Sequence, residues 1–179
     1  MPTPPLVLLA SARPAGDTAA LVRAAFGPVP HVVHDLQAAP LAPYCYAGAY
    51  PASDAFPALV QQLLAHDTLV LATPVYWYAM SGLLKTFFDR LTDLITTHKP
   101  LGRQLRGRRL LVLAVGADAA LPPGFAEPFQ RTAAYLGLAF GGCWYYSSGR
   151  AQPAALTRLA RQWQQALAAG PSPATPSPA

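Results

Sequence analysis

Apolar runs with strand character alternate with amphipathic runs of helical period along most of this chain. Leu6–Ala10 is continuously apolar, as a strand buried on both faces is. Asp17–Phe26 follows as a helix with Asp17 at the N-cap position. His31–Leu36 is the second strand, Gln37 to Phe56 a loop rich in Pro, Ala and Tyr, and Pro57–His66 a helix with proline in its first turn. Thr68–Ala72 is the third strand, broken at Thr73-Pro74. In Ser81–Ile95 the residues Leu83, Leu84, Phe87, Phe88, Leu91, Leu94 and Ile95 share one broad face of a helix. Lys85, Asp89 and Asp93 lie four apart on the other face, where only the first pair is attractive. Arg108–Gly116 is the fourth strand, Gly124–Leu138 a helix interrupted early by Pro128, Ala139–Tyr146 the fifth strand and Pro153–Ala169 the last helix. Strands alternating with helices predict a parallel sheet covered on both faces, a three-layer α/β/α unit.

The predicted strand order is 2-1-3-4-5, a flavodoxin-like doubly wound sheet of five strands. Ligands of such sheets bind outside the carboxyl ends of the strands, here between the first and third. A length of 179 residues fits one domain, taken as residues 1–169. The remainder, 170–179 (GPSPATPSPA), lacks apolar residues to bury and reads as a disordered tail. Hydrophobic residues make up 53%, which excludes disorder for the bulk of the chain. The formal net charge of +5 raises affinity for anions without naming a partner.

Leu6 to Ala12 (LVLLASA) briefly resembles a signal peptide. It lacks a basic start and its apolar core is too short. No stretch has the apolar length of a membrane helix, so neither a membrane nor a secretory route is expected. Cys45 and Cys143 stand far apart, outside any CxxC or His-flanked spacing, so no metal site is expected. They read as two thiols in a reducing cytoplasm.

Two loops carry candidate chemistry. After the first strand come Ser11, Arg13, Asp17 and Thr18, where hydroxyls, a guanidinium and free amides at a helix start favour a phosphate. The alternative is a polar turn that merely caps the helix. There is no GxGxxG and no Walker lysine. After the third strand come Pro74, Val75, Tyr76, Trp77 and Tyr78, whose amides and aromatic rings suit the edge and faces of a planar ring. Packing in a core or a dimer contact competes with that reading, although three consecutive aromatics cannot all face one core.

The first loop, ASARPAGDT, resembles the phosphate loop of the NADPH-dependent FMN reductase family. The second, ATPVYWYAMSGLLKTFFDRL, is similar to that family's flavin-ring loop and following helix, SPxYxxxxxGxLKxxxDR. The similarity spans roughly residues 5 to 146. It implies a flavodoxin-like fold, bound FMN, reduction by NADPH or NADH, and a homodimer or homotetramer with the flavin near a subunit boundary. By position, Ser11, Arg13 and Thr18 would hold the FMN phosphate, and Pro74 to Trp77 would frame the isoalloxazine. Gly116, with Ala117 and Asp118, would belong to a third flavin-side loop. The family has Asn or Ser where this chain has Asp17. A carboxylate beside a phosphate is unfavourable unless it turns away to cap the helix, and Arg13 offsets part of the repulsion. Iron–sulfur relatives carry a cysteine run near PYCYAGA (43–49); Cys45 alone excludes a cluster with several cysteine ligands. Tyr44 and Tyr46 fit either an aromatic flap over a flavin or a loop packed on the surface.

The implied activity is transfer of reducing equivalents from NAD(P)H through FMN to a small acceptor such as a quinone or flavin. In that chemistry the flavin, and no particular side chain, is the reacting group, and the Ser81 helix terminus is expected to stabilise negative charge on it. Lys99, Arg103, Arg106, Arg108 and Arg109 form either a solvated connector or a site for the NADPH 2′-phosphate. An electron-carrier flavodoxin is the main alternative, opposed by the basic charge. A non-enzymatic interaction protein on the same scaffold is another, kept open by Asp17. Nucleic-acid binding lacks interleaved aromatics or a recognition-helix pattern.

Overall fold

A computed structural model describes residues 3–38, 40–150 and 152–169, apart from the Arg150 side chain. The sequence-predicted tail, 170–179, lies outside these residues. Elements follow the order β1 (Leu6–Leu9), α1 (Asp17–Phe26), β2 (Val32–Asp35), α2 (Phe56–Ala65), β3 (Thr68–Tyr76), β4 (Ala79–Met80), α3 (Gly82–Arg90), α4 (Lys99–Arg103), β5 (Arg109–Gly116), α5 (Glu127–Leu136), β6 (Ala139–Ser147) and α6 (Pro153–Ala168). The parallel strands run β2-β1-β3-β5-β6.

The sheet therefore has six strands where five were expected, and the order is 2-1-3-5-6 in chain numbering. The extra one is β4, two residues paired antiparallel to the end of β3 through Val75↔Met80 and Tyr76↔Ala79. It arises because β3 does not break at Thr73-Pro74. β1 ends opposite Ala72 and β4 pairs only from Val75 on, so at Thr73 and Pro74 the strand neighbour is β5 alone, with Pro74 opposite Val115. A proline is tolerated where a strand is paired on one flank only.

Two buried clusters flank the sheet. One joins alternate strand residues such as Leu8, Leu71 and Val112 to Phe56, Leu84, Phe87 and Phe129 from α2, α3 and α5. The other joins Val7, Val70 and Leu113 to Phe26 of α1 and Trp163 of α6. The strand residues alternate between the two, which is why the strands read as continuously apolar. The helix expected over Ser81–Ile95 is shorter. It ends at Arg90 and continues as a 3₁₀ turn, Leu91–Leu94. That change of winding turns Asp93 inward, where it is buried against Arg90 and not on the solvent face with Lys85 and Asp89. Pro128 does not interrupt a helix; it occupies the first turn of α5, which starts at Glu127.

Candidate functional site

The carboxyl ends of β1 and β3 lie side by side, with Leu9 opposite Ala72. The Ala10 amide donates to the Ala72 carbonyl at 2.8 Å, prolonging the pairing by one residue. From there the loop after β1 winds on itself. The Arg13 amide donates to Ser11 Oγ at 3.3 Å, and the Gly16 amide donates to the Arg13 carbonyl at 3.1 Å. Ser11 and Thr18 are buried, while Arg13 is exposed. Helix α1 begins with Gly16 as N-cap in an extended conformation, and no side chain caps it. The first intrahelical bond is Ala20 amide to Gly16 carbonyl, so the amides of the first turn have no intrahelical acceptor.

This corrects one expectation. Asp17 is the first residue of α1 and makes no capping bond; Gly16 holds that position. The Asp17 carboxylate is exposed and stands in the first turn beside the open amides. It favours the positive end of the helix dipole and competes there with any other anion.

The second loop is a hairpin. Trp77 and Tyr78 form its two-residue turn, with φ of 49° and 65°. Paired positive φ values belong to the tight turns that match strand twist, normally built from Asn-Gly or Gly-Gly. Here two bulky aromatics hold them, and Trp77 is 93% exposed. Tyr78 and Tyr76 are exposed as well, whereas Val75 is half-buried and Pro74 is buried. The three aromatics thus project from the rim and do not enter the core.

Ser81 locks the two loops together. Its hydroxyl donates to the Ala10 carbonyl at 2.8 Å and accepts from the Leu84 amide at 3.3 Å, as the N-cap of α3. Its own amide donates to Thr73 Oγ1 at 3.1 Å. The amides of Ser81 and Leu84 therefore have protein acceptors, which leaves those of Gly82 and Leu83 as the ones at this helix start without an intrahelical partner. Sequence reasoning found Ser81 as a helix start and missed that its side chain bridges to the first loop. The bridge spans 71 residues of sequence, and local patterning carries no signal for it.

Gly116 ends β5 beside this hairpin. A Cβ there would come within 2.9 Å of the Tyr145 hydroxyl and 3.1 Å of Val75 Cβ. Its missing side chain thus makes room for β6 and β3. The Tyr145 hydroxyl donates to the Asp118 carbonyl at 2.8 Å, fixing the loop after β5. Burial first, and the Asp118 charge second, push the Tyr145 phenol above its ordinary value.

The basic stretch lies elsewhere. Arg108 and Arg109 stand at the amino end of β5, opposite to the rim that carries the loops. The Arg108 guanidinium donates to the carbonyls of His66 and Leu64, and Arg109 donates to those of Ala166 and Leu167. Arg109 is buried, which lowers its pKa. These two arginines tie backbone ends together. Their guanidiniums, held by these carbonyls at the end of the sheet opposite the rim, give the 2′-phosphate reading no support from these two residues.

A cluster unforeseen from the sequence holds the long loop between β2 and α2. Arg90 is 1% exposed, with Nε 2.9 Å from Asp93 Oδ2 and Nη1 2.8 Å from Asp54 Oδ2. Nη1 also donates to the Ala42 carbonyl, and the guanidinium lies 3.6 Å from the centroid of the Tyr50 ring. Burial would lower the Arg90 pKa; the bonds to Asp93 and Asp54 outweigh it and hold it above its ordinary value. The Tyr44 and Tyr46 rings meet edge to face at 5.0 Å on this loop, and Tyr46 is 96% exposed. The signal for the cluster was the arginine closing the FFDR run, whose carboxylate partners lie outside that run.

Residues 5–122 match the family described as NADPH-dependent FMN reductase. The chain belongs to that family. A putative NAD(P)H-dependent FMN-containing oxidoreductase, YwqN of Bacillus subtilis (strain 168), is 28% identical over 103 residues, covering 55% of this chain and 57% of the relative. The chain spans about half the length of the curated relatives it matches. Among solved structures, the Trp repressor binding protein from Bacillus subtilis superposes with a TM-score of 0.68 at 23% identity, covering 90% of this chain and 94% of the other. The general stress protein 14 from Treponema denticola, solved in complex with FMN, gives a TM-score of 0.67 at 21% identity, covering 93% and 99%. These two share the fold of this chain. Among the described residues no helix is long and apolar enough to cross a membrane, and no three His, Cys, Asp or Glu side chains converge as a metal site.

Proposed function

We propose that this chain is an NAD(P)H-dependent FMN oxidoreductase that binds FMN at the carboxyl rim between β1 and β3. The observation that carries this reading is the uncapped first turn of α1. A ten-residue helix presents open amides beside the Arg13 guanidinium and the hydroxyls of Ser11 and Thr18. Amides and a cation fit a phosphate monoester, since they donate to its oxygens; the Ser11 hydroxyl, which donates to the Arg13 carbonyl at 3.2 Å, would have to turn from that bond to join them. The hairpin fits the rest of the cofactor: Pro74 to Tyr78 would border a planar ring, with Val75 seated against the edge of Gly116.

FMN, when bound, accepts a pair of electrons from NADPH or NADH and passes them to a small-molecule acceptor such as a quinone or flavin. The chain's own residues bind and orient. Ser81 fixes the distance between the anchoring loop and the hairpin. Trp77 and Tyr78, exposed at the tip, leave one face of the site open to exchange of donor and acceptor and offer them aromatic surface. The same exposed tip and Tyr46 would be covered in a homodimer or homotetramer, and a cytoplasmic setting suits two free thiols.

A carrier role is disfavoured by the net charge of +5, opposite in sign to that of typical flavodoxins docking on basic partners. The discriminating experiment is anaerobic addition of NADPH, then NADH, to the purified FMN-loaded protein, followed by menadione. Bleaching of the flavin band within seconds and its return on adding menadione support the oxidoreductase. A flavin band that neither nucleotide bleaches points to a carrier. Protein that cannot be loaded with FMN points to an interaction protein on this scaffold.

A further inference from the structure

The two edges of the sheet are managed differently. Edge strand β2 has four residues and ends in His34 and Asp35. Edge strand β6 has nine, AFGGCWYYS, with neither a charge nor a proline. Its first half is broken by an irregularity at Gly141-Gly142, with Gly142 at φ 125°. The second half, Cys143 to Ser147, is regular, and among the described residues no backbone bond leaves its outer edge. Long uncharged edges template pairing with another chain unless they are blocked.

Beside that half-strand runs a groove of about 540 Å³, walled by residues 143–147 on one side and by Gln152, Ala155, Arg158 and Gln162 of the α6 region on the other. Its floor is firm: Trp144 packs edge to face on the fully buried Trp163 at 5.1 Å. Arg158 is the one charged residue lining the groove, and no carboxylate lines it among the described residues. The amino end of the sixteen-residue α6 opens onto it through Gln152 and Ala155, with no side chain capping it. The positive charge of the groove is thus concentrated on its α6 wall, at Arg158 and the amino end of the helix.

We propose that this groove takes an extended segment of a partner protein that pairs with the free edge of Cys143 to Ser147 and carries an acidic side chain facing Arg158. Strand addition provides main-chain hydrogen bonds, and the charge selects the partner. A second copy of this chain is the poorer occupant. A two-fold interface sets the same patch against itself, and a patch with a cation and no carboxylate is not self-complementary.

The test uses the full-length protein, isotope-labelled for amide NMR, and two blocked hexapeptides, acetyl-TVEVTV-amide and acetyl-TVKVTV-amide, to millimolar concentration. The glutamate peptide is expected to shift the amides of 143–147 and of the first turn of α6, and to bind about fivefold more tightly than the lysine peptide. Arg158→Glu, at an exposed position, is expected to reverse that order while leaving the remaining spectrum and the flavin content unchanged. Absence of shifts with both peptides overturns the proposal, as does an Arg158→Glu protein that keeps the original preference. Concentration-dependent self-association that protects the same amides overturns it in favour of a second copy.

Discussion

At the scale of single residues, the turn at Trp77-Tyr78 holds strain that ordinary turn chemistry would avoid. Positive φ costs a non-glycine residue roughly 1–2 kcal/mol, and both turn residues have it. The exposed indole at 93% gains little packing to offset that cost. The double substitution Trp77→Asn and Tyr78→Gly is therefore expected to stabilise the protein. Its thermal midpoint should rise by roughly 2–4 °C per kcal/mol relieved, read by circular dichroism. Turnover of aromatic acceptors is expected to fall in the same variant. Asp17 makes a second residue-scale prediction. Its carboxylate shares the first turn of α1 with the proposed phosphate anchors and caps nothing. Asp17→Asn removes a like charge, so FMN affinity is expected to rise about fivefold at low salt, with the gain shrinking as salt is added. Flavin fluorescence titrations at two ionic strengths measure both effects. An unchanged affinity would mean that the phosphate sits elsewhere.

At the scale of elements, the placement of the strands and most helices was legible in the sequence, because continuous apolar runs and amphipathic runs differ in period. The proline at 74 misled: it reads as a break, yet β3 continues through it, since β1 has already ended on one flank. The hairpin strand β4 was illegible for a related reason. Its turn lacks glycine and asparagine, the residues that announce a tight turn. Helix α3 appeared longer than it is, because leucines of the 3₁₀ turn continue its apolar face. Of the candidate site, the loop carrying the proposed phosphate anchors and the exposed aromatics were legible by type and position, while the Ser81 bridge was not. Its partners, Ala10 and Thr73, are joined through tertiary contact. Ser81→Ala removes an N-cap and a bond to a carbonyl that then lies buried without it. A loss of about 1–2 kcal/mol is expected in urea unfolding, together with reduced flavin content on purification. Ser81→Thr, which keeps the hydroxyl, is expected to restore part of both. Stability loss with full flavin content would separate the cap from the site.

At the scale of the whole molecule, two apolar layers clamp a sheet whose loops converge on one rim, while its arginine-rich amino end is occupied by backbone carbonyls. The buried groups set an alkaline limit on stability. Burial pushes the Cys143 thiol up to about 12 from 9.0. The folded state keeps this proton where the unfolded chain releases it. The associated stability is therefore complete below pH 9 and is lost as pH rises toward 12, with a slope of at most about 1.4 kcal/mol per pH unit. Tyr145, raised in the same direction, adds to the loss above its ordinary value of 10.0. Thermal midpoints between pH 8 and 10.5 are expected to fall, and less steeply in Cys143→Ala. The claim on which the rest depends is that the rim between β1 and β3 holds FMN by its phosphate. Titration of flavin-free protein with FMN and, separately, with riboflavin tests this most directly. Saturable 1:1 quenching of FMN fluorescence is expected, with riboflavin at least tenfold weaker because it lacks the group that meets the open amides of α1. Equal affinity for the two, or no quenching by either, would contradict it.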